Sequence, residues 1–122
     1  MTTYTPFTKA QVRAALVVLC NQIAKIARKK GVRSPEGRPE IEVARMHQEL
    51  SHVLDTYSKR NPKSRYLPKF TRRDEALANL VIRIFDFSER YHIPITSAIL
   101  AKMDHNESRP PKGGRTDGET NI

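Results

Sequence analysis

Apolar residues recur at three- and four-residue spacing along most of this chain, and proline and glycine interrupt the pattern at only a few places. That periodicity restricts the fold more than any other feature. A stripe of apolar side chains on a helix can leave water only by packing against another helix or an equivalent surface. No segment alternates apolar and polar residues as a half-buried strand would, and no internal repeat is visible. The expected fold class is therefore all-α, with four antiparallel helices forming a bundle.

The first helix should start at Thr8-Lys9-Ala10-Gln11, a capping box in which the Thr8 hydroxyl and the Gln11 amide satisfy orphan backbone N–H groups, with Phe7 stapled to Val12. Val12, Ala15, Leu16, Leu19, Ile23 and Ile26 supply its stripe. The basic turn Arg28-Lys29-Lys30 followed by Gly31 should end it near Lys30. A linker with Pro35, Gly37 and Pro39 leads to a second helix, whose stripe is Val43, Met46, Leu50, Val53, Leu54 and Tyr57, ending at Asn61-Pro62. A basic connection runs from Lys59 to Arg73. The third helix is expected over about Arg72 to Tyr91, capped by Thr71, with Asp74 and Glu75 suited to the helix dipole. Its apolar residues Leu77, Leu80, Val81, Ile84, Phe85 and Phe87 cover more than one face, which predicts a central position. His92-Ile93-Pro94-Ile95 ends it, and Thr96 is the expected cap of a fourth helix through Ala98, Ile99, Leu100 and Met103 to about Asn106.

The 122 residues suit one domain, read as a helical domain over 1–107 and a Gly- and Pro-rich tail over 108–122 that is extended or disordered. So small a core makes self-association into a homo-oligomer a reasonable expectation. With 22 Lys+Arg against 13 Asp+Glu, the net charge of +9 selects polyanionic partners: nucleotides, nucleic acid or an anionic surface. Cys20 is the one cysteine, so no internal disulfide can form, and a buried thiol in a cytoplasmic protein is the simpler reading. Lys9 and Arg13 precede the apolar run Ala14 to Cys20, but Asn21 and Gln22 end that run too soon for a signal sequence, and no membrane association is expected.

Chemistry-bearing residues gather on the third helix. At about 100° per residue, Glu75, Asn79, Arg83 and Asp86 share one side and could converge on a ligand or form a solvated face. The segment from Glu75 to Asp86 resembles the third helix of MazG-like nucleotide pyrophosphohydrolases. Lys102-Met-Asp-His-Asn-Glu-Ser-Arg-Pro110 is similar to the Lys-Met-x-x-Asn-x-x-Arg-Pro signature of small phage and bacterial members, and Gly113-Gly114-Arg115 extends it. Met46 to Asp55 resembles the family's first acidic helix, so the likeness spans about Ala10 to Arg115.

The resemblance implies a MazG-like bundle and hydrolysis of nucleoside triphosphates to monophosphate and pyrophosphate. It implies Mg²⁺ held by an ExxE pair on one helix and an ExxD pair on the next. Residues three apart share a helical face, so two such helices can present four carboxylates to a hard cation. In this chain the four positions are Glu49, His52, Ala76 and Asn79, and three carboxylates are missing. A nitrogen donor, a methyl group and a neutral amide do not replace them for Mg²⁺. Any remaining metal site would draw on Glu49, His52 and Asp86.

A pocket without metal must meet phosphate with Lys and Arg. Lys102, Asn106 and Arg109, which match the C-terminal signature, are the first expected contacts, followed by Arg83 and Asn79. The expected function is binding or sequestration of a nucleotide, including a cyclic one, without efficient turnover; no cofactor is then required, and a role in phage counter-defence is conceivable. Two other readings stand beside it. One is a Mg²⁺- or Mn²⁺-dependent pyrophosphohydrolase with an altered site. The other is a nucleic-acid-binding protein using the basic stretch Lys59 to Arg65 and the tail. No HExxH motif, nucleophile elbow or phosphate loop is present.

Overall fold

A computed structural model describes residues 7–31 and 37–111 of the chain. It contains four helices: α1 (Lys9–Lys30), α2 (Pro39–Ser58), α3 (Arg72–Arg90) and α4 (Ile95–Ser108). Among the described residues there is no strand beyond an isolated bridge between Lys63 and Thr71. Most of the expected tail, with Gly113-Gly114-Arg115, lies outside the described residues.

Local signals fix several of the ends. Thr8 caps α1 through the expected box: its hydroxyl accepts from the Gln11 N–H at 3.1 Å, and its own N–H donates to Gln11 Oε1 at 2.8 Å. Gly31 closes α1 at φ 66°, a left-handed conformation that glycine adopts without cost, and its N–H reaches the carbonyls of Ala27 and Arg28. Thr71 caps α3 in a second box completed by Asp74.

α2 ends at Ser58, and the basic connection begins at Lys59 as expected: the Lys59 backbone leaves helical geometry at φ −116°, ψ −90°, and the Asn61 side chain accepts the Arg73 N–H at 2.9 Å. One expected boundary is corrected. α4 starts at Ile95 rather than after a Thr96 cap. Pro94 takes the cap position, its carbonyl accepting the Ala98 N–H at 2.9 Å, and Thr96 lies inside the first turn. The helix continues past Asn106 to Ser108.

The principal contacts join α2 to α3, α3 to α1 and α1 to α4, which places α3 between α2 and α1. Contacts give the directions. Glu42 meets Arg90 and Glu49 meets Arg83, so α2 is antiparallel to α3. Cys20 meets Phe85 and Arg28 meets Glu89, so α1 runs parallel to α3. Lys9 meets Asp104 and Arg13 meets Ser97, so α4 is antiparallel to α1. The path is up-down-up-down, as short connections favour.

Small residues make the tightest packing: Cys20, Ala24 and Ala27 of α1 are buried, with Phe85 and Ala76 of α3 and Leu100 of α4. By length and composition α1 is the one described helix able to cross a bilayer; in this fold its small residues pack on α3. The α2 stripe behaves differently from a simple core stripe. Glu49 and Thr56 are the buried residues of α2, whereas Val43, Leu50, Leu54 and Tyr57 are exposed. The most buried positions facing α3 are thus polar, and four of the six stripe residues point outward.

Candidate functional site

Between α2, α3 and the loop joining them lies a cleft of about 410 Å³. Its floor comes from paired helical turns: Glu49 and His52 on α2 and Ala76 and Asn79 on α3. Three-residue spacing puts each pair on one face, and antiparallel packing brings the two faces together. Glu75 lies beside them, and Lys63, Arg65, Tyr66 and Arg72 complete the lining.

The loop wall is folded by its own hydrogen bonds. Buried Ser64 is the centre: its Oγ accepts from the backbone N–H groups of Tyr66 at 3.2 Å and Leu67 at 2.9 Å, and donates to Glu75 Oε1 at 2.5 Å. Its N–H donates to the Phe70 carbonyl and the Arg72 N–H to that of Pro62, each at 2.8 Å. Arg73 clamps the loop to α2. Its Nε donates to Thr56 Oγ1 at 3.0 Å, its Nη2 to the Thr56 carbonyl at 3.1 Å, and its guanidinium lies 3.4 Å from the Tyr57 ring centroid. A wall tied at both ends can hold cations in place over a bound anion. The Arg65 guanidinium lies 5.7 Å from the ring centroid of Tyr66, which itself is widely exposed.

Charge in the cleft favours an anion. The two lining carboxylates have partners: Glu49 Oε2 accepts from Arg83 Nε at 3.1 Å, its other oxygen lies 3.7 Å from His52 Nδ1, and Glu75 accepts from Ser64. Three further cations, Lys63, Arg65 and Arg72, line the same space.

The donor set does not fit a Mg²⁺ cage. Among the described residues no three His, Cys, Asp or Glu side chains group as metal ligands, and a guanidinium already sits against Glu49. Asp86 lines a separate, smaller pocket of about 180 Å³ with Glu42, Asn79 and Arg83. Thus Glu49 and His52 meet, while Asp86 belongs to the neighbouring depression.

No family model, characterised protein or solved structure matches this chain.

The residues expected to grip an anion divide into two groups. Asn79 lines the cleft and Arg83 neutralises its buried carboxylate, so the polar seam of α3 turns toward α2. Lys102 and Asn106 are exposed one turn apart on α4, with half-buried Arg109 just after its end. None of these three lines the cleft of the single chain. Within the basic connection, Lys63 and Arg65 line the cleft, and Tyr66 and Arg72 join them. The signal for this wall was local but weak: a serine two and three residues ahead of the N–H groups it captures, with Pro68 behind them.

Proposed function

We propose that this is a MazG-like helical protein that binds a nucleotide, linear or cyclic, in the α2–α3 cleft without efficient hydrolysis. The observation that carries the reading is the guanidinium of Arg83 on Glu49, at the position where the resemblance implies a metal-bound carboxylate, beside three cations facing the same cleft. In this reading Lys63, Arg65 and Arg72 meet phosphate oxygens by charge-assisted hydrogen bonds, Asn79 supplies a neutral donor and acceptor, and the Tyr66 ring offers a face for a base. Fixed protein cations then take the place of a bridging divalent ion. Binding without turnover would suit sequestration of a nucleotide signal.

Calorimetric titration with linear and cyclic nucleotides in EDTA tests this directly. Saturable binding is expected, and Arg72→Ala and Lys63→Ala should each weaken it about tenfold, the effect of losing one charge-assisted hydrogen bond. Glu49→Gln should leave binding intact or tighten it, since it removes negative charge from the cleft. Rapid release of pyrophosphate with Mg²⁺ or Mn²⁺, abolished by Glu49→Ala, would replace this reading with the hydrolase. Affinity that grows with strand length and falls steeply with salt would replace it with nucleic-acid binding, for which the exposed loop cations are also suited. Lys102→Ala and Arg109→Ala test whether α4 of a neighbouring copy reaches the ligand, because in one chain these residues do not line the cleft.

A further inference from the structure

Asn79 is common to two spaces. It lines the α2–α3 cleft, and it also lines the smaller pocket of about 180 Å³ with Ala27 of α1, Glu42 of α2, and Ile82, Arg83 and Asp86 of α3. The Arg83 and Glu49 pair stands at the border, because Glu49 lines the cleft and Arg83 the pocket. The two spaces differ in charge. Lys63, Arg65 and Arg72 line the loop end, whereas Glu42 and Asp86 line the other, where Asp86 lies two turns, about 10 Å, beyond Asn79 along α3. Sites for whole small molecules begin at about 300 Å³, so the pocket suits one end of a ligand whose remainder occupies the cleft.

Its lining has the chemistry of a base-reading site. Ala27 and Ile82 offer apolar surface to a ring, Glu42 and Asp86 accept hydrogen bonds, Asn79 donates and accepts, and Arg83 donates. Glu42 accepts from Arg90 at 3.4 Å and Arg83 donates Nε to Glu49 at 3.1 Å. A carboxylate has acceptor sites on both oxygens and a guanidinium has several donors, so these groups can serve a ligand beside their protein partners.

We infer that this pocket takes the base of the bound nucleotide and that the base is guanine. The inference rests on nucleotide binding in the cleft and adds which nucleotide is bound. Guanine carries two adjacent donors, N1–H and the 2-amino group, on one edge, with O6 and N7 as acceptors on the next. The first edge matches the two oxygens of Asp86, and the second matches Arg83 and the Asn79 amide. Adenine and cytosine set a ring lone pair beside their amine, and uracil flanks its one N–H with two carbonyls. Each would turn an acceptor toward a carboxylate, leaving buried groups without partners. The phosphates then reach back past Asn79 to the loop cations. The Tyr66 ring at the loop end is 73% exposed and can stack on any base, so discrimination belongs to the pocket.

Calorimetric titration in EDTA with GTP, ITP, ATP and UTP reads the pocket. ITP lacks only the 2-amino group of GTP and should bind about tenfold more weakly, the effect of one charge-assisted hydrogen bond; ATP and UTP should bind more weakly still. Asp86→Asn should bring the GTP-to-ITP ratio close to one, because an amide cannot accept from both donors through two oxygens. A purely structural role for Asp86 would lower both affinities and keep their ratio. Equal binding of GTP, ITP and ATP, with Lys63→Ala still weakening each, would overturn the inference and leave the cleft a nucleotide site. No saturable binding of any of the four would remove both readings. A GTP preference that survives Asp86→Asn would place the base elsewhere and overturn the inference as well. If Asp86→Asn fails to fold, the wild-type ratio of GTP to ITP decides.

Discussion

The two interfaces made by α3 are built from different chemistry. Toward α1 it packs mainly small and apolar groups, with one partly exposed ion pair, Arg28 to Glu89, near the end: Ala24 and Ala27 are buried, and the Cys20 thiol donates to the Phe85 carbonyl at 3.4 Å. Toward α2 it presents charge and amide: Arg83 on Glu49, Arg90 near Glu42, Arg73 on Thr56. Close apolar packing stabilises a fold through area removed from water. A partly buried ion pair gains much less, because each charge loses solvation before it gains its partner. The α1–α3 side therefore contributes apolar packing, while the α2–α3 side, the more extensive contact of the two, also sets the shape and charge of the cleft. Substitutions should separate the two roles.

The largest effect is expected at Phe85, 7% exposed and the largest buried side chain of the α1–α3 side. Phe85→Ala should destabilise by about 3–5 kcal/mol, read from the urea midpoint, a large fraction of the stability of a domain of this size. The Glu49 and Arg83 pair should matter far less to folding. With side-chain exposures of 12% and 35%, water still reaches Arg83, so a double-mutant cycle of Glu49→Gln and Arg83→Met should give a coupling of about 1 kcal/mol or less. A coupling as large as the Phe85→Ala loss would contradict the division drawn between the interfaces.

Thr71→Ala comes next, at about 1 kcal/mol for a lost helix cap. Its reach is wider than its energy. Thr71 also bridges to Lys63, and the neighbouring Arg72 and Arg73 hold the loop to Pro62, Asn61 and Thr56. If the loop wall grips nucleotide, the same substitution should lower affinity severalfold without touching the ligand, whereas Thr8→Ala, of similar cost and at the far α1 cap, should not. Equal affinities in the two variants would show that the wall has no part in binding.

What could be read from the chain follows the range of the forces involved. The caps at Thr8 and Thr71 and the stop at Gly31 are set by residues within one turn, and their sequence signals led directly to the observed ends. The burial of Cys20 and the central place of α3 were legible from helical spacing. The orientation of α2 was not, because an amphipathic pattern assigns its apolar stripe to the interior and cannot foresee that Glu49 and Thr56 are satisfied by Arg83 and Arg73, far along the chain. For the same reason the order of the basic connection was not legible: it comes from Ser64 reaching Glu75 and from Arg73 stacking on Tyr57. The four positions Glu49, His52, Ala76 and Asn79 do share one cleft, as their paired spacing required. Lys102 and Asn106 stand on α4 and Arg109 just past its end; α4 meets α1, and sequence order alone could not place that helix.

The smallest effect concerns how the α1–α3 side responds to alkali. Burial pushes the Cys20 thiol above its ordinary value of 9.0, and the nearby carboxylates of Glu89 and Asp86 push the same way by repelling a thiolate. Folded chains therefore keep this proton at pH values where unfolded chains have begun to release it. The unfolded state then binds fewer protons, so the stability supplied by the neutral thiol is complete below the unfolded value and is lost as pH rises through the folded one. Cys20→Ala removes the titrating group, so the difference between wild type and variant in urea midpoint should be constant at neutral pH and should shift against the wild type above about pH 9. Folded wild type should also react slowly with a thiol-directed maleimide and become reactive on addition of urea, since only an exposed thiolate attacks readily. A wild-type curve parallel to that of Cys20→Ala through the alkaline range would mean that the thiol ionises as easily between α1 and α3 as in water, and the closely packed character assigned to that interface would fail at its centre.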